Sequence, residues 1–84
     1  MIISKKCYKF LIETVCSEIT REHYEDLLEH ATQKIILKNA FLIIKQSTNE
    51  VESPYYRGYI NDGDKYYRTV MYASNKEQFI KLFS

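Results

Sequence analysis

Glycine and proline are scarce, two and one in 84 residues. Gly58 and Gly63 cannot furnish a glycine-rich phosphate loop or a nucleophile elbow, and no Walker lysine is present. The two cysteines, Cys7 and Cys16, lack the paired spacing of a zinc site. No run of about eighteen apolar residues occurs, so nothing reads as a membrane span. Neither sign of charge is in excess. A formal net charge of +1 argues against a histone-like grip on nucleic acid but leaves room for a local basic patch. The opening MIISKKCYKF places its lysines after the first apolar residues, which is not the order of a signal peptide. The expected compartment is therefore the reducing cytoplasm, with the cysteines as buried thiols. On one straight helix they would stand ~13 Å apart, beyond the ~7 Å that a disulfide spans.

What remains fits one small domain, residues 1–84. A chain this short buries roughly 60–65% of its unfolded surface, so its stability margin is thin. From Ser4 to about Ser17, residues Tyr8, Leu11, Ile12, Val15 and Ile19 recur at helical spacing, with Cys16 at the edge of the stripe and Phe10 off it. Thr20 reads as the cap of a second helix, with Ile19 and Tyr24 as its hydrophobic staple. Its buried stripe is Tyr24, Leu27, Leu28, Ala31 and Ile35, and Asn39 is its stop. Its outward face, with Glu22, Glu25, Asp26 and Glu29, is acidic. AFLIIKQS (40–47) predicts a strand covered on both sides, and TNEVESP (48–54) a loop. YYRGYI and KYYRTVMY then form a hairpin about Asp62-Gly63, a two-residue turn signal. Ser74 to Glu77 is a capping box opening a short last helix. The expected fold is α+β: two N-terminal helices, a three-stranded antiparallel meander and a C-terminal helix, α-α-β-β-β-α.

Six of the eight tyrosines and two of the three arginines lie between residues 55 and 72. With Asp62-Gly63 as the turn, strand alternation divides the hairpin. One face carries Tyr56, Gly58, Ile60, Tyr67, Thr69 and Met71, a core-facing set in which Gly58 leaves room for a helix. The other carries Tyr55, Arg57, Tyr59, Tyr66, Arg68, Val70 and Tyr72. That register sets Arg57 directly opposite Arg68, an arrangement that costs a fold within ~0.2–1 kcal/mol. Phenol rings with arginines on an open sheet suit single-stranded nucleic acid, whose bases stack while cations meet phosphates. Tyr55, Arg57, Tyr59, Tyr66, Arg68 and Tyr72 are accordingly the candidate nucleic-acid-binding residues, for RNA or single-stranded DNA. The same residues suit a purely structural hairpin, with the arginines paired to Glu50 or Glu52, or a protein interface.

His23 and His30 share a helical face but stand ~10 Å apart along the axis, too far for one metal ion. Asp26 and His30 could offer two ligands, without a third. Nothing orients either cysteine against a histidine as nucleophile and base. Neither an enzyme, a metal site nor a cofactor is expected. The expectation is a small binding protein for RNA or single-stranded DNA. The alternative is an inhibitor or adaptor acting on a host protein, such as an RNA-processing enzyme, through the same face or the acidic helix. A bias to Lys, Ile, Tyr and Asn over Gly, Pro and Ala suggests an AT-rich genome such as a phage's. The edge strand and Phe10 are candidate surfaces for a homodimer.

Helix, three antiparallel strands, helix over residues 20–83 resembles the layout of double-stranded-RNA-binding domains. Where that family has a lysine cluster opening its last helix, Asn75, Lys76 and Glu77 stand here with a single cation. Three strands feeding a capped helix also resemble the arm-binding domains of phage integrases. Neither resemblance carries residues over, and layout does not fix function.

Overall fold

The computed structural model describes residues 16–45 and 55–84. They form one five-stranded antiparallel sheet with two helices. The elements are β1 (Cys16–Ile19), α1 (Arg21–His30), β2 (Lys34–Ile36), β3 (Ala40–Lys45), β4 (Tyr55–Asn61), β5 (Tyr66–Tyr72) and α2 (Ala73–Phe83). The strand order is β1-β5-β4-β3-β2. The α+β class stands, but the expected α-α-β-β-β-α order does not. Five strands replace three, and Cys16 and Ser17, expected to end a first helix, lie in a strand. The rest of that helix, with Cys7 and Phe10, lies outside the described residues, as does the expected loop with Glu50 and Glu52. The helical argument against a Cys7–Cys16 bridge lapses with Cys16 on a strand. The three-stranded layout behind both resemblances is also gone.

Thr20 caps α1 as expected: its Oγ1 accepts from the His23 amide at 3.1 Å. The helix then ends at His30 rather than running on to Asn39. Ile35, which continues the helical stripe, is instead paired with Leu42 in β2. Two adjacent β-branched residues, Ile35 and Ile36, gain partners along β3 that a solvated helix end does not offer, so tertiary pairing overrides local propensity. Lys34 donates its ammonium to the Leu28 carbonyl, closing the helix end. At the other sheet edge, β1 pairs with β5, which would otherwise be a long edge strand.

These endpoints fix where α1 lies. β1 and β2 are the two edges of the sheet, so the chain between them must travel its width. Four strand spacings of ~4.8 Å make about 19 Å, and ten helical residues supply about 15 Å of it. The helix therefore crosses one face of the sheet. It packs Tyr24, Leu27, Leu28 and Ala31 on Phe41, Ile43, Tyr59, Tyr66 and Ile19. The opposite face belongs to α2, which follows β5 without a break. Its Phe79 and Phe83 join Ala40, Leu42, Tyr56, Ile60 and Met71 in a second core cluster. Burying a phenylalanine such as Phe79 is worth about 1.5–3 kcal/mol. The cap of α2 is Tyr72, which makes no side-chain cap hydrogen bond, so the expected Ser74 cap falls inside the helix.

β3 is buried on both sides, as its unbroken apolar run predicts. The β4–β5 turn differs from expectation in its centre. Asp62 donates its amide to the Lys65 carbonyl at 2.9 Å, leaving Gly63 and Asp64 as the central pair. Gly63 has φ 95°, and the Asn61 side chain accepts its amide at 2.8 Å. Glycine is therefore the first central residue, as in a II′ turn, rather than the second. Moving the centre by one residue moves every cross-strand partner by two. The two faces keep their membership, but Arg57 now opposes Val70, and Arg68 opposes Tyr59. The expected direct Arg57–Arg68 opposition is absent.

Gly58 sits where α2 presses close on the sheet. A Cβ there would stand 2.7 Å from Phe79 Cε2 and 2.8 Å from Met71 Cε and Thr69 Oγ1. Gly58→Ala is expected to cost about 1–3 kcal/mol by overpacking, seen as a melting midpoint lowered by roughly 4–8 °C per kcal/mol. An unchanged midpoint would contradict the close approach of α2. Thr69 Oγ1 is buried with no hydrogen-bond partner. Thr69→Val is therefore expected to leave the midpoint unchanged or raise it, since an unsatisfied hydroxyl costs about 1–3 kcal/mol.

Candidate nucleic-acid interface

All six candidate residues share one face of the sheet. Across it run three cross-strand rows: Ser17, Arg68, Tyr59 and Phe41; Val70, Arg57 and Ile43; and Tyr72, Tyr55 and Lys45. The same face receives α1, which divides the set. Tyr59 is 2% exposed and stacks on Phe41 with centroids 5.0 Å apart. Tyr24 meets Phe41 at 5.2 Å and Tyr66 at 4.9 Å. Tyr59 and Tyr66 are thus part of an aromatic core with Tyr24 and Phe41, and Tyr59 has no ring face left for a base. Tyr56, on the other face, has Lys76 Nζ 5.4 Å from its ring centroid.

The outer rows differ. Tyr72 is 72% exposed and Val70 40%, Lys45 is exposed, and Tyr55 and Arg57 are half-buried, as is Arg68 at the border in the Tyr59 row. Tyr55 and Tyr72 are direct cross-strand neighbours. Lys45, which sequence reasoning missed, extends their row.

Arg57 marks the border between the two zones. Its guanidinium lies near the Tyr59 phenol, while its Nε is buried without a partner. Burial pushes the Tyr59 phenol up in pKa. Arg57, by charge and as a potential donor, and Arg68, by charge, pull it partly back. Both guanidiniums therefore lie near the Tyr59 oxygen. Other charged side chains pair away from this face, Arg21 with Glu25 at 2.9 Å and Lys65 with Glu18 at 3.9 Å, and the His30 ring lies 3.1 Å from the Asp26 carboxylate. Asp26 and His30, considered as metal ligands, are thus engaged with each other. Burial also raises the Cys16 thiol above its ordinary value.

At the turn end of the sheet, a groove of about 600 Å³ runs between the start of α1 and the β4–β5 turn. Its charges balance, Glu18 and Asp64 against Arg21 and Lys65, and Arg21 is already held by Glu25. It offers an anion no net attraction.

Burial, and next the Tyr66 phenol, push the Tyr24 pKa up to about 12 from an ordinary 10.0. Between those values the unfolded chain releases the Tyr24 proton and the native chain keeps it. Stability present below pH 10 should therefore drain as pH rises toward 12. Urea midpoints are expected to fall between pH 9.5 and 11.5, and Tyr24→Phe to shrink that fall. An equal fall in Tyr24→Phe would contradict the burial of this phenol under α1.

Comparison with protein-family models, with curated proteins and with solved structures finds no match for this chain.

Proposed function

We propose that the chain is a non-enzymatic binding protein that contacts RNA or single-stranded DNA through the half of the sheet face that α1 leaves uncovered. One observation carries this reading. Lys45 and Arg57 share that half-face with two neighbouring phenols, Tyr55 and Tyr72, and Arg68 stands at its border in the Tyr59 row. Cations beside exposed rings suit a phosphate backbone, and an exposed phenol gives a base a stacking surface worth about 1–3 kcal/mol. Tyr59 and Tyr66 have no part in it; they hold the platform to α1.

A second reading has its own support. Val70 and Tyr72 are exposed side by side on the same face, an apolar patch of the kind that anchors protein partners. The exposed carboxylates of α1, Glu22, Glu25, Asp26 and Glu29, would add a site for basic groups. On this reading the chain is an inhibitor or adaptor of a protein, and nucleic acid is not its ligand.

Salt separates the two. Three phosphate contacts to a single strand give a slope near −0.7 per contact, so affinity should fall roughly twentyfold from 50 to 200 mM salt. Fluorescence anisotropy with a labelled single-stranded oligonucleotide reads this directly. Lys45→Gln with Arg68→Gln is expected to flatten the salt slope, and Tyr72→Ala to weaken binding by about tenfold. No binding at 50 mM salt, or binding indifferent to the double substitution, would overturn the nucleic-acid reading.

A further inference from the structure

Next to the uncovered strip, the end of α1 and the last residues of β3 line an open-sided cavity of about 320 Å³. Leu27, Ala31 and Ile43 give it apolar walls, and His30, Thr32 and Gln33 are its polar lining residues. Lys45 lines it as well, and so belongs to both cavity and strip. The sheet register fixes this adjacency. Ile43 is paired with Arg57, and Lys45 with Tyr55, so the cavity lies one strand over from the cations and phenols.

We infer that this cavity receives one nucleobase of a strand bound along the strip, and that Gln33 and Thr32 set which base is preferred. The inference rests on the nucleic-acid reading above and deepens it. A base has apolar faces and a polar edge. The cavity has apolar walls and a polar side, and its volume is at the low end for small-ligand sites. Single-stranded nucleic acid is commonly recognised with bases splayed out of the stack and read on their edges. A glutamine carboxamide carries a donor beside an acceptor, which is what a two-point contact with a base edge requires. Lys45 is placed to hold the phosphate that leads from the stacked base at Tyr72 and Tyr55 into the cavity. A free small anionic metabolite is the weaker fit, because His30, which also lines the cavity, is held by Asp26 at 3.1 Å, leaving Lys45 to meet its charge.

The test is anisotropy titration of equal-length labelled homo-oligomers of U, C and A at 50 mM salt. The proteins compared are wild type, Gln33→Ala, Thr32→Val and Tyr72→Ala, with melting midpoints checked in parallel. Wild type is expected to prefer one oligomer by at least about fivefold. Gln33→Ala should erase the preference while the least-preferred oligomer still binds within about twofold of wild type. Thr32→Val should narrow the preference, and Tyr72→Ala should weaken all three together. A wild type that binds all three equally, or a Gln33→Ala that weakens all three in parallel, overturns the cavity assignment and leaves the strip reading standing. Binding of none overturns the strip reading, and the cavity assignment with it.

Discussion

Helix α1 has to carry the chain from one edge of the sheet to the other, and most of the molecule's organisation follows from that. β1 and β2 are adjacent in sequence but four strand spacings apart in space. A ten-residue helix is long enough to make the journey only by lying across the sheet face. Its apolar side, led by Tyr24, then needs a complementary surface. Phe41, Tyr59 and Tyr66 provide it. Two of the hairpin's six tyrosines are thereby committed to the core, and the remainder of that face is left to other uses.

The hairpin shows how a local misreading can leave a larger inference intact. Asp-Gly suggests a turn with glycine second, yet the Asn61 side chain holds the Gly63 amide and the turn closes one residue later. Since side chains alternate with period two, a shift of two in register returns each residue to the same face. The grouping of Tyr55, Arg57, Arg68 and Tyr72 on one face therefore survives. The like-charge opposition of Arg57 and Arg68 does not, and Arg57 turns instead to the Tyr59 phenol. Had the loop gained a residue rather than slid, Arg57 and Arg68 would have been split between opposite faces of the sheet.

Much of the fold was legible where the chemistry is local. The apolar run of β3, the alternation of β4 and β5, the Thr20 cap and the room at Gly58 can be read directly from residues. Three features could not. Cys16–Ile19 is too short for its strand period to stand out, and Ile19 also fits a helical stripe. Ile35 follows Ala31 at helical spacing, yet pairing with Leu42 outweighs that pattern. The burial of Tyr59 depends on a helix distant in sequence, and no property of YYRGYIN announces it. Lys45 was missed for a related reason. Its parity with Phe41 and Ile43 is evident, but its place beside Tyr55 depends on β3–β4 register across a long connection that no short-range rule fixes.

The division of one sheet face by α1 is tested most directly by the reactivity of individual tyrosines. Limited nitration of the native protein, followed by peptide mass spectrometry, ranks the phenols by access. Tyr72 should be modified early, with Tyr24 and Tyr59 protected until the protein is unfolded. Modification of Tyr59 at the rate of Tyr72 in the folded protein would mean that the helix does not cover that face.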